Sequence, residues 1–132
     1  MGRNVLILLG YPGAGKGTQA KEIMRRLNIP QISTGDMLRE EIQRKTVYGK
    51  QAEELMAAGK FVPDAVVDAI VAGRIRRADC RRGFILDGYP RTVAQAEHFS
   101  HELTPDDRFW VIEISADPDH VMARLIGRGS EE

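Results

Sequence analysis

Near the start of the chain an apolar run, Val5-Leu6-Ile7-Leu8-Leu9, passes without a spacer into Gly10-Tyr11-Pro12-Gly13-Ala14-Gly15-Lys16-Gly17-Thr18. A short apolar run closed by glycine reads as a strand buried on both faces of a parallel sheet. Gly10, Gly13, Gly15 and Gly17 leave the loop almost without side chains, so its backbone N–H groups turn inward. Together with the positive end of the following helix they make an anion site suited to a phosphate chain. Lys16 adds a full positive charge for the β- and γ-phosphates. The spacing Gly10-x4-Gly15-Lys16 fits the P-loop pattern, except that Gly17 follows the lysine and the hydroxyl comes one residue later, at Thr18. A glycine-rich hairpin or linker has no use for a lysine there.

At 132 residues the chain has room for one domain with a sizeable core. Its 19 basic and 19 acidic side chains cancel, so no global field points to nucleic acid or a membrane, and an anion site must be local. The single cysteine, Cys80, excludes an internal disulfide, fits a reducing compartment and reads as a small buried residue. The run at 5–9 is shorter than a signal-peptide core of about 7–15 residues. Leu6 breaks the myristoylation pattern that Gly2 begins, and no window approaches the ~18 apolar residues of a membrane span. The expectation is a cytoplasmic protein without nucleic-acid or membrane partners.

Along the chain, Ala20, Ile23, Met24 and Leu27 share one face of a helix over about 15–27, ended by Asn28 and Pro30. Gln31-Ile32-Ser33 suits a brief second strand. Ser33 and Asp36 form a capping box for a helix to about Lys45, and a further helix spans about 49–58, stopped by Gly59. Pro63 and Asp64 open another, with Val66, Val67, Ile70, Val71 and Ile75 on one face. Residues 34–62 are therefore a helical excursion larger than a simple crossover needs. Phe84-Ile85-Leu86-Asp87-Gly88 is the third strand, its acid at the C-terminal end resembling a Walker B element. Thr92 and Gln95 cap a helix to about Leu103, Phe109–Ile114 is a fourth strand, and Asp117-Pro118 opens a last helix with Val121, Met122 and Leu125 inward. Alternating strands and helices call for a parallel sheet, with ligands at the carboxyl ends of the strands, where Gly10 and Asp87 both fall.

Four separated motifs resemble the adenylate kinase family: Gly10-Tyr-Pro-Gly-Ala-Gly-Lys-Gly-Thr-Gln19, Ile32-Ser-Thr-Gly-Asp-Met-Leu-Arg39, Asp87-Gly-Tyr-Pro-Arg-Thr92 and Arg124-x3-Arg128. Gly17 after the lysine is that family's form of the loop. The resemblance implies a three-layer α/β P-loop fold, with a parallel sheet in the order 2-3-1-4 and a helical nucleoside-monophosphate-binding insertion at 33–62. It implies transfer of a phosphoryl group from MgATP to AMP, giving two ADP, with Mg²⁺ as cofactor and no zinc.

By the same resemblance Gly13, Ala14, Gly15, Lys16, Gly17 and Thr18 bind the ATP phosphates, and Arg124 and Arg128 meet phosphates and the ATP base. Thr34, Arg39, Lys60, Phe61, Val62, Gly88, Tyr89, Pro90, Arg91 and Gln95 form the AMP site. Within it Arg39 and Arg91 grip phosphate and Gln95 reads the adenine edge. Lys16, Arg91 and Arg124 act on the transferred group, while Asp87, with Asp36, orders water around Mg²⁺. Asp36 and Gln95 are also accounted for by their capping boxes, and Arg124 and Arg128 by a solvated helix face. His98, His101 and His120 read as surface residues. The chemistry is consistent with this set, since phosphoryl transfer needs aligned phosphate chains and neutralised charge more than covalent help. No general base is expected.

A UMP/CMP kinase is the nearest alternative, and Thr34, Thr92 and Gln95 favour AMP over it. The family pattern continues beyond Arg128 with a lid, further arginines and a fifth strand. The expectation for the 132-residue chain is therefore a core incomplete at its C-terminus. A nucleotide-binding fragment of slow turnover follows, because one transition-state arginine is worth ~10³–10⁵ in rate. Without the fifth strand, Phe109–Ile114 is an open apolar edge that favours self-association, whereas the resemblance implies a monomer for a full-length member.

Overall fold

A computed structural model describes residues 2–10 and 16–114. In chain order these form β1 (Asn4–Gly10), α1 (Lys16–Leu27), β2 (Gln31–Ser33), α2 (Thr34–Gln43), α3 (Val47–Ala57), α4 (Asp64–Ile75), a 3₁₀ turn at Ala78–Cys80, β3 (Gly83–Asp87), α5 (Val93–Ser100) and β4 (Arg108–Ile114). The four strands make a wholly parallel sheet in the order β2-β3-β1-β4. The helix expected from Asp117 lies outside the described residues.

The continuous apolar runs of β1 and β3 follow from burial on both faces. Val5 and Ile7 of β1, with Phe84 and Leu86 of β3, face α2, α4 and α5 through Met37, Val66, Ile70, Val71, Ile75 and Phe99. The alternate residues Leu6, Leu8 and Ile85 pack against Ala20 and Ile29, with Ile23 and Met24 of α1 beside them. Phe84, Ile85 and Leu86 are 0% exposed. At about 1.5–3 kcal/mol for each such side chain, β3 is the strand the layers are built on. β4 lies at the outer side of the described sheet, and Phe109, Trp110 and Val111 remain largely exposed.

Helix ends depart from the sequence expectations by local chemistry. α2 stops at Gln43, because Lys45 takes a positive φ of 55°. α3 starts at Val47, two residues early, because the Thr46 hydroxyl accepts the Gly49 N–H at 3.0 Å. Both capping boxes are half formed. Ser33 accepts from the Asp36 N–H and Thr92 from the Gln95 N–H, but the reciprocal side chains turn elsewhere, Asp36 to Arg39 and Gln95 to Arg91 and Asp64. Cys80 is buried as expected, and burial pushes its thiol up to about 11, which leaves it a neutral packing residue. Among the described residues no helix is long and apolar enough to cross a membrane.

Candidate functional site

Because all four strands run parallel, their C-terminal ends share one rim of the sheet. Asp87 at the end of β3 sits level with Ser33 of β2 and Leu8 of β1, and Gly10 sits level with Ile114. Two described chain reversals therefore meet on the rim beside the end of β1: the Ser33 cap of α2 and the turn after Asp87. α1 begins at Lys16, and Gly17 and Thr18 in its first turn are exposed. Gly13, Ala14, Gly15, Arg124 and Arg128, together with the side chain of Lys16, lie outside the described residues, as does His120.

The tightest convergence is at Gly88. Its φ of 84° suits glycine, and a Cβ there would lie 3.2 Å from Arg91 Nη2 and 3.3 Å from Thr34 Oγ1. Thr34 and Arg91, 57 residues apart in the chain, thus flank one bare stretch of backbone. The Arg91 guanidinium is exposed, while its backbone N–H donates to Gln95 Oε1 at 2.7 Å. Tyr89 is 2% exposed and Pro90 half-buried, so this turn is anchored on one side and open on the other.

Arg39 lies over Gly35, its Nη1 3.2 Å from where a Cβ would stand, and it donates to the Asp36 carboxylate. That bond, and then the bond to Ser33, lowers the Asp36 pKa. Asp36 and Arg39 thus form an exposed ion pair on the first turn of α2. Asp87 is half-buried, and its Oδ2 accepts from Gln31 Nε2 at 3.3 Å. Among the described residues no group of three or more His, Cys, Asp or Glu side chains is placed to enclose a metal ion.

Between α2 and α4 the side chains of Thr34, Met37, Leu38, Val67, Ile70 and Val71 close into a narrow seam that admits no water. The segment 60–62 leads toward α4. The Lys60 N–H closes α3 by donating to the Leu55 carbonyl at 2.8 Å, Phe61 is 97% exposed, and Val62 packs against the core. His98 and His101 are on the surface, as expected.

Sequence reasoning missed two residues here, Asp64 and Asp68 on α4. Asp64 accepts from Thr92 Oγ1 at 2.9 Å and from Gln95 Nε2 at 3.1 Å, and Asp68 Oδ1 accepts from the Tyr89 hydroxyl at 2.5 Å. A signal existed for Asp68, an acid placed within Val66-Val67-Asp68-Ala69-Ile70-Val71.

Comparison with known proteins places this geometry in context. The family model described as adenylate kinase matches residues 8–132. An adenylate kinase of Bartonella bacilliformis is 52% identical over 128 residues, covering 96% of this chain and 67% of the relative. Adenylate kinases of Moorella thermoacetica and of a Geobacillus species are 53% and 51% identical over 125 residues, covering 93% of this chain and 58% of each relative. The chain thus spans about three-fifths to two-thirds of the length of the relatives it matches.

Proposed function

The chain belongs to the adenylate kinase family, and from that premise we propose that it serves reversible phosphoryl transfer from MgATP to AMP, yielding two ADP. The observation that carries the acceptor half is the Thr34–Gly88–Arg91 cluster, where a hydroxyl, a side-chain-free backbone and a guanidinium share the end of β3. Arg91 and Arg39 take the AMP phosphate, since an arginine fork matches phosphate oxygens. Asp36 acts through Arg39 by holding its guanidinium. Thr34 and segment 60–62 meet the base, and Gln95 reads its polar edge. Gly88, Tyr89 and Pro90 shape the wall. On the donor side the loop 13–18, with Lys16, takes the ATP phosphates, joined by Arg124 and Arg128.

The donor set suits magnesium in one particular way. With no enclosing cluster of carboxylates among the described residues, Asp87 would hold the ion through its waters, as fits a cation that dehydrates reluctantly and leans on phosphate oxygens. When bound, the ion supplies neutralisation of phosphate charge. The protein's own residues align the two phosphate chains and exclude stray acceptors. A cytoplasmic place in nucleotide synthesis suits such an activity.

The test is a coupled assay of the 132-residue chain with AMP, CMP and UMP as acceptors. The ratio between acceptors carries the answer even where absolute turnover is slow. Preference for AMP is the expected result. Preference for a pyrimidine would transfer the assignment to a UMP/CMP kinase, and nucleotide binding without transfer would leave a binding module.

A further inference from the structure

Gln95, 6% exposed in the first turn of α5, has protein partners at both ends of its amide. Oε1 accepts from the Arg91 N–H at 2.7 Å, and Nε2 donates to Asp64 Oδ1 at 3.1 Å. These partners fix which way the amide faces. A peptide N–H only donates and so must meet oxygen; a carboxylate only accepts and so must meet nitrogen. Turning the amide over sets N–H against N–H and oxygen against carboxylate, two part-buried mismatches at once. Asp64 is held in turn, since its Oδ2 accepts from Thr92 Oγ1 at 2.9 Å.

We propose that Asp64 is a specificity-determining positioning residue, which locks the Gln95 amide so that an incoming base meets oxygen and N–H in one fixed order. This deepens the AMP-acceptor reading and rests on it. A primary amide has two lone pairs and two N–H groups. The protein takes one of each, which leaves one acceptor and one donor. A 6-aminopurine offers the complement, an N6–H donor beside a bare N1 acceptor. A 6-oxopurine offers the reverse, O6 beside N1–H, and meets like with like unless the amide turns over. Cytosine carries the amino order and uracil the oxo order. The lock therefore separates amino from oxo bases.

The test is equilibrium titration of the whole chain with AMP and with IMP, which differ in this edge alone. Wild type binds AMP more tightly than IMP. Asp64→Ala narrows the AMP/IMP ratio about ten-fold, the worth of one mismatched hydrogen bond. Asp64→Asn, whose amide can offer Gln95 either oxygen or N–H, narrows the ratio likewise although it keeps the side chain's size. Should the alanine variant unfold, Asp64→Ser gives the same readout, being too short to reach Gln95 yet able to serve the first turn of α4. An unchanged ratio, with both affinities lowered alike, makes Asp64 merely structural and overturns the lock alone. A wild type that binds neither nucleotide overturns the acceptor reading and the lock together.

Discussion

The Tyr89 hydroxyl donates to Asp68 Oδ1 at 2.5 Å, inside the layer between α4 and the turn that follows β3. The two residues are 2% and 7% exposed. Asp68 stands one helical turn beyond Asp64, so α4 grips the segment 89–95 at two levels. Burial, and then the bond to Asp68, raises the Tyr89 pKa and keeps the phenol protonated as the donor. The exposed Arg91 is thus presented from a turn whose neighbours on both sides are tied to one helix.

Tyr89→Phe removes the donor and leaves a buried carboxylate without it, at a cost of about 1–3 kcal/mol. Adding Asp68→Val removes the stranded group and returns most of that loss. Urea unfolding midpoints of the single and double variants measure both. A single variant as stable as wild type would mean that the pair contributes nothing.

Acid sensitivity should trace to Asp107. Its carboxylate accepts from Arg3 Nη2 at 2.8 Å and Arg3 Nε at 3.2 Å, and from the Arg3 and Thr104 N–H groups. The Arg3 bonds, foremost among these, hold its pKa well below the usual carboxylate range. A lowered folded pKa contributes stability that is present above the unfolded value near ~3.9 and is lost as pH falls through the folded one. Asp107→Asn should cost about 1–3 kcal/mol at neutral pH, with the gap to wild type closing in acid. A gap independent of pH contradicts this.

Gly49→Ala sets two effects against each other. Helix propensity favours alanine by about 1 kcal/mol. Yet a Cβ at Gly49 would stand 2.0 Å from the Glu41 carbonyl oxygen, a backbone atom that cannot swing away. Forcing α2 and α3 apart costs about 1–3 kcal/mol, so the variant should be destabilised, and thermal melts give the sign.

β4, outermost among the described strands, exposes Phe109, Trp110 and Val111 by 45%, 45% and 55%. Apolar edges pair with other chains. Sedimentation of the 132-residue chain should show concentration-dependent association that salt does not weaken, reduced by Val111→Lys. A salt-insensitive monomer at high concentration counts against it.

Local rules read well here. The two-sided strands announced themselves as unbroken apolar runs, and Ser33, Thr92 and Asp87 fell where capping and strand ends require them. The sheet order was expected from family motifs, as was the grouping of Thr34 and Arg91 in one site, because no local pattern encodes contacts between distant segments. Asp64 was legible as the start of a helix but not as the partner of Gln95. The Arg3–Asp107 clamp joins residues 104 apart and left no trace in either neighbourhood. In each case what stayed hidden was a polar side chain whose partner is set by packing of the layers.

The central claim, two facing nucleotide sites joined at the rim of the sheet, is tested most directly by calorimetric titration with the analogue that links two adenosines through five phosphates. Saturable binding of one analogue per chain is the predicted result, weakened at least ten-fold by Arg91→Ala and not restored by Arg91→Lys. No saturable binding, or binding indifferent to Arg91, would contradict it.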